Sequence, residues 1–157
     1  MVHPTLCPDG VGCTGFCPDE LLLSFSSDHE TLITQLEAVA GLAAFFTFSE
    51  LFQGRRCVHW IDNYASLYCF VKGGSASPDM AALANMMHLQ LAALDCDVFW
   101  DWVPSGANPA DPVSRPTPDA LAALHAAGVV HDRRELRFPA MHLFLDPASF
   151  FESHPRG

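Results

Sequence analysis

Three carboxylates occupy settings that suit a divalent cation. Asp62 closes a short β-prone apolar run, Arg56-Cys57-Val58-His59-Trp60-Ile61, and is followed by Asn63. Glu37 lies inside a long apolar helical pattern, four residues after Ile33 and three before Ala40, which assigns it to the face they share. Asp111 ends the segment Trp102-Val103-Pro104-Ser105-Gly106-Ala107-Asn108-Pro109-Ala110-Asp111. An ionised carboxylate on a buried helix face is costly unless a cation meets it. Hard oxygen ligands suit Mg²⁺ or Mn²⁺, which keep several waters and take one or two carboxylates each. A pair of such ions roughly 3.5–4 Å apart can activate water and stabilise the leaving oxygen of a phosphodiester. Around these acids, Asn108 is placed to brace its loop, and Arg115 to contact a phosphate or a carboxylate. Asn63, Lys72, Arg55 and Arg56 are the further candidates for substrate contacts.

Each of these residues also has a plainer reading. An Asp that opens a helix is usually its cap. Glu37 at the edge of its face reaches water, and an Arg pair at a strand start is commonly just solvated. Met86, Met87 and His88 read as packing residues, and Asp101 as a solvent-facing acid.

The elements that must position the acids follow from periodicity. Val11 to Phe16 and Glu20 to Phe25 read as short strands near a Pro8-Asp9-Gly10 turn. Residues 30–53 read as a helix in which Ile33, Leu36, Ala40, Ala43 and Ala44 recur at three- and four-residue steps, capped by Ser27 or Asp28 and stopped at Gly54. Residues 56–61 are short and apolar enough for an inner strand, which delivers Asp62 at its carboxyl end, where functional side chains gather in open α/β sheets. A helix from Asn63 to Lys72 ends at Gly73-Gly74, and Ser77-Pro78-Asp79 opens another through Met80, Leu83, Met87, Leu91 and Leu94. Asp97 to Val103 is a second β-prone run with Val98, Trp100 and Trp102 on one face. A Pro-rich loop, a short helix around Asp119 to Ala127 and an irregular tail with Phe138, Leu143, Phe150 and Phe151 follow.

Length and composition fit one domain with a real core: 157 residues, half of them hydrophobic and only 17% charged. No apolar stretch reaches the roughly 18–20 residues of a bilayer span, and the N-terminus lacks a signal-peptide pattern, so the expectation is a soluble, intracellular chain without a membrane partner. Cys7, Cys13 and Cys17 cluster beside His3, but not in the paired spacing of a zinc site. Cys57, Cys69 and Cys96 read as small buried hydrophobes. The net charge of −10, with Lys72 the only lysine, opposes a sequence-independent grip on nucleic acid.

Four motifs nevertheless occur in one order. They are Leu36-Glu37-Ala38 in a helix; Trp60-Ile61-Asp62-Asn63 followed by Ala65; Val71-Lys72-Gly73 with Ser75; and Trp102-Val103-Pro104-Ser105 through Asn108-Pro109-Ala110-Asp111-Pro112-Val113-Ser114-Arg115. The ordered set, above all its Asn-Pro-Ala-Asp-x-x-Ser-Arg ending, resembles the ribonuclease H-like domain attached to retroelement reverse transcriptases, in particular divergent protist and algal forms. The resemblance covers about Leu21 to Arg115. It implies an α/β fold, a mixed sheet of about five strands with helices on both faces, within a domain spanning residues 1–116. Residues 117–157 then form a C-terminal helix and irregular tail. The implied activity is Mg²⁺- or Mn²⁺-dependent hydrolysis of the RNA strand of RNA–DNA hybrids, recognised through backbone shape and 2′-hydroxyls. Glu37, Asp62 and Asp111 are then the catalytic metal ligands, and the natural partner is a reverse transcriptase domain in a longer polyprotein.

The family also places an acid on its first strand. Asp9 and Asp19, in turn-like surroundings, match that position poorly. The first strand is therefore expected to be missing, with weak or no activity in the isolated chain. A non-catalytic remnant of the same domain and an unrelated acidic α/β interaction domain are the competing readings.

Overall fold

A computed structural model describes residues 10–13, 15–25, 30–108, 110, 117–126, 128–131 and 134–153. Its centre is a parallel strand pair, β2 (Arg56–Ile61) and β3 (Asp97–Trp102), in register from Arg56 opposite Asp97 to Ile61 opposite Trp102. The strands are parallel because two helices intervene, α4 (Tyr64–Lys72) and α5 (Pro78–Ala93), which supply the crossover that such a pair requires. Ahead of them run α2 (Ile33–Thr47) and the short α3 (Ser49–Phe52), split at Phe48. Gly54, at φ +64°, turns the chain into β2, and its N–H donates to the Leu94 carbonyl at 2.8 Å.

Sequence signals fix the helix ends. Asn63 caps α4, and Gly73 ends it in the left-handed conformation. Gly73 and Gly74 donate their N–H groups to the Phe70 and Cys69 carbonyls. Pro78 stands in the first turn of α5, where the missing N–H has no cost, with Asp79 beside it at the positive end of the helix dipole. Buried side chains tie the helices together. Cys69 donates its S–H to the Met80 carbonyl at 3.1 Å, and the Gln90 amide donates to the Phe45 carbonyl at 3.3 Å.

A line of rings joins the helices to the sheet. Phe52 meets Phe45 at 4.2 Å between centroids, Phe45 stacks on His59 at 5.5 Å, His59 meets Trp100 at 5.3 Å, and Trp100 stacks on Phe70 at 5.2 Å. The contacts thus cross from α3 and α2 through both strands to α4. Gly41 makes the approach possible, since a Cβ there would stand 3.1 Å from the His59 ring. Leu143 and Phe150 from the tail are buried in the same core, and Arg137 donates its backbone N–H to Thr47 at 2.9 Å. Arg134 pairs with Glu50 and lies over the Phe48 ring.

Several sequence expectations change. Glu20 to Phe25 is helical, not a strand: α1 covers Asp19–Ser24, started by Pro18 and by the acids Asp19 and Glu20 in its first turn. An unbroken Leu21-Leu22-Leu23 run carries no period, so sequence reading had little to separate the two. The first strand, β1, is only Val11–Gly12, and it pairs in parallel with the distant β4 (Val130–His131). On α2 the buried face is Gln35, Ala38, Val39, Leu42, Ala43 and Phe45, whereas Ile33, Leu36 and Ala40 are exposed. Trp102 is exposed at the end of β3 rather than buried with Val98 and Trp100. The expected caps Ser27 and Asp28 lie outside the described residues.

The chain is a mixed α/β protein, but the described strands form two separate two-stranded parallel sheets. Helices α2, α4 and α5 gather on one face of the β2–β3 pair, where Cys57, His59, Ile61, Val98 and Trp100 point. Val58, Trp60 and Phe99 alternate onto the other face and are 46%, 56% and 67% exposed, so helices do not cover both faces among the described residues. Among the described residues no helix is long and apolar enough to cross a membrane.

His59 gives a test of this packing. Burial pushes its imidazole down to about 4, against about 6.5 in an unfolded chain. Between these values the unfolded chain takes up a proton that the folded chain refuses. The contribution is therefore complete above about pH 6.5 and is lost as pH falls towards 4, an effect on the order of 3 kcal/mol. Urea denaturation at pH 7 and pH 4.5 should show this loss in the parent chain and much less of it in His59→Phe. Equal losses in both would contradict a neutral, buried His59.

Candidate functional site

The carboxyl end of β2 is fixed from three sides. Val103 donates its N–H to the Ile61 carbonyl at 3.1 Å, extending the strand pairing by one step. The Trp102 indole N–H donates to the Asp62 carbonyl at 3.3 Å, and the Tyr64 ring stacks on Trp102 at 5.1 Å and 13°. Asn63 leaves its backbone extended, and its Oδ1 accepts the N–H groups of Ala65 at 2.9 Å and Ser66 at 3.1 Å. The cap of α4 is therefore Asn63, and the carboxylate of Asp62 is not committed to capping it.

The same asparagine reaches across to α2. Its Nδ2 donates to the Thr34 hydroxyl at 3.3 Å, while the buried Ser66 hydroxyl donates to the Thr34 carbonyl at 3.1 Å. Thr34, Glu37 and Gly41 are spaced three and four apart, so they lie along one stripe of α2. At one end of that stripe Thr34 meets Asn63, and at the other Gly41 meets His59. Glu37 falls between these anchors along the helix. Glu37 and Asp62 are both half-buried. Local capping and the Thr34 bridge thus tie α2 to the end of β2, with Glu37 on the helix stripe that makes the contact and Asp62 on the strand end.

The remaining candidates divide. Asp111 and Arg115 lie outside the described residues. Asn108 braces its loop, with Oδ1 accepting the Ala110 N–H at 3.0 Å. Arg55 and Arg56 stand at the start of β2, the opposite end from Asp62. A six-residue strand at about 3.3 Å per residue separates the two ends by roughly 17–20 Å. Arg56 instead pairs with Asp97 at 3.4 Å, both side chains being highly exposed. Lys72 ends α4, about 13 Å along the helix from its capped start by the usual rise per residue, with its ammonium 5.6 Å from the Tyr68 ring centroid. Nearness in sequence suggested a shared site for these cations, but an extended strand and a helix of several turns carry them away from it.

Carboxylates such as Glu37 and Asp62 are hard oxygen donors of the kind Mg²⁺ takes one or two of, with waters completing its shell. Among the described residues no group of three His, Cys, Asp or Glu side chains forms a metal cage. Thr34 and the Tyr64–Trp102 pair escaped sequence reading. The Asn63-to-Ser66 spacing is a capping signal, but nothing in sequence links it to Thr34. No family model matches the sequence, and comparison with curated proteins and with solved structures finds no match.

The Asn63 junction is directly testable. Asn63→Ala removes an acceptor for two helix N–H groups and the donor to Thr34, and it should destabilise the fold by about 1–2 kcal/mol in urea titrations. Asn63→Asp keeps the acceptor and should recover most of that loss. If Asn63→Ala matches the parent, the junction does not anchor α2 to the strand end.

Proposed function

We propose that this chain is a ribonuclease H-like domain that hydrolyses the RNA strand of RNA–DNA hybrids, with Mg²⁺ or Mn²⁺ held by Glu37, Asp62 and Asp111. One observation carries the reading: Asp62 leaves the carboxyl end of a parallel strand beside the α2 stripe that bears Glu37, with Asn63 and Thr34 locking the two elements together. The order of helix acid, strand-end acid and loop acid along the chain is the order that the motif resemblance implies. A bound cation would supply an activated water and charge stabilisation of the leaving oxygen.

The protein's own part is to hold the two carboxylates still and to present the hybrid to them. Asn63 fixes the backbone next to Asp62, and Trp102 holds the Asp62 carbonyl. Tyr64 and Trp102 form an exposed flat surface beside the strand end, suited to sugar and base edges. With so few cations, recognition rests on shape and 2′-hydroxyls more than on phosphate charge. The chain would work as the nuclease portion of a longer polyprotein that also carries a reverse transcriptase.

A second reading, a non-catalytic remnant of the same domain, is favoured by the outer face of β2 and β3. Val58, Trp60 and Phe99 are exposed there, and among the described residues no third strand joins this pair.

A labelled RNA–DNA hybrid with Mg²⁺ or Mn²⁺ separates the readings. The nuclease reading expects metal-dependent cleavage of the RNA strand, which Asp62→Asn and Glu37→Gln each reduce to background while circular dichroism is unchanged. If Glu37→Gln or Asp62→Asn cleaves as well as the parent, the site assignment is wrong. A folded parent chain that leaves the hybrid intact favours the remnant.

A further inference from the structure

Two thiols of the strand pair face each other. Cys57 is the second residue of β2 and Cys96 immediately precedes β3, and their Sγ atoms lie 3.9 Å apart. Strand alternation puts both on the inner face, Cys57 with His59 and Ile61, Cys96 with Val98 and Trp100. Cys57 is half-buried and Cys96 is buried, but Cys96 borders a shallow surface groove with His88, Asp95, Asp97 and Trp100, which is the route by which a reagent would approach the pair. A disulfide requires the sulfurs to close to about 2.05 Å. Cys96 stands outside the β2–β3 ladder, just after the left-handed Asp95 at φ +48°, whereas Cys57 is paired opposite Val98, so closure calls first on the turn before β3 to move.

We propose that Cys57 and Cys96 form a dithiol modification site, which a low-molecular-weight disulfide such as oxidised glutathione converts into an internal cross-link between β2 and the turn before β3. One protein thiolate attacks the sulfur–sulfur bond of the reagent, forming a mixed disulfide and releasing one glutathione thiolate. The second protein thiolate then attacks the protein sulfur of that mixed disulfide and displaces the other glutathione. The protein loses two protons and two electrons, and the reagent leaves as two reduced glutathione molecules.

The surroundings set the pace of this exchange. Burial, then the charge of Cys96 and its hydrogen bond, push the Cys57 thiol up to about 12. Burial also raises the Cys96 thiol; its hydrogen bond with Cys57 works against this, and the carboxylates of Asp97 and Asp95 add to the rise. The titratable groups facing the pair are the two thiols themselves, Asp95, Asp97 and the groove residue His88. The thiolate fraction is therefore small at neutral pH, which makes the site a slow clamp and not a catalytic disulfide. Once closed, the link restrains the chain from β2 through α4 and α5 in the unfolded state, which stabilises the fold.

The full chain is incubated with oxidised glutathione, acid-quenched, alkylated and read by intact mass and peptide mapping. The expected product is lighter by the two lost hydrogens and yields the Cys57 peptide joined to the Cys96 peptide. Its formation rate rises about tenfold per pH unit between pH 7 and 8. Its thermal midpoint is higher by roughly 5–10 °C, and a dithiol reductant reverses the gain. Cys57→Ser and Cys96→Ser each abolish the joined peptide and the midpoint gain, leaving a single glutathione adduct on the remaining partner. The proposal is overturned if Cys57 and Cys96 stay alkylated, if either pairs with another cysteine, or if the parent chain accumulates glutathione adducts without closing. The mapping on the parent chain decides the matter even if a serine variant does not fold.

Discussion

The contact on which the structure depends is the line of rings Phe52, Phe45, His59, Trp100 and Phe70. A two-stranded sheet has too little area to be stable alone, so it must be held to a helical layer. Here the inner faces of both strands are clamped between α2 and α4 by aromatic packing, with Gly41 opening the space that the His59 ring fills. A polar ring in that position is held neutral by burial. Charging it would put an unpaired cation among apolar rings, which costs free energy.

That clamp also determines what happens at the strand end. Because α2 lies across β2 with Gly41 against His59, its next turns towards the amino end pass the last residues of the strand. Thr34 then meets Asn63, with Glu37 one turn further along the helix towards Gly41. The proposed cation site is a by-product of helix–sheet packing plus one capping asparagine. The other face of the sheet shows no such closure: Val58, Trp60 and Phe99 remain exposed. A parallel pair normally has both faces covered, so the exposed face marks where the architecture is incomplete among the described residues.

Much of this centre was legible in the residues. The run Arg56–Ile61, the Asn63 start and Gly73 stop of α4, and the Ser77-Pro78-Asp79 opening of α5 all encode local geometry, and local geometry followed. The sequence of α2 does not mark its buried face, because the helix is apolar nearly all round and small residues such as Ala40 and Ala43 do not distinguish a side. The Leu21-Leu22-Leu23 run failed for the same want of a period. The cations Arg55, Arg56 and Lys72 were placed by proximity in sequence, which extended and helical segments do not preserve. The Thr34–Asn63 bridge depends on a helix–strand crossing that local sequence does not specify.

The central claim is that Glu37 and Asp62 bind one divalent cation at the end of β2. It is tested most directly by titrating Mn²⁺ into isotope-labelled protein and following the paramagnetic broadening of backbone amide signals. The account expects selective broadening at Asp62, Asn63 and the Glu37 turn of α2, competed by Mg²⁺ and lost in Asp62→Asn. Broadening centred on Asp95, Asp97 or Asp101, or unchanged broadening in Asp62→Asn, would contradict it.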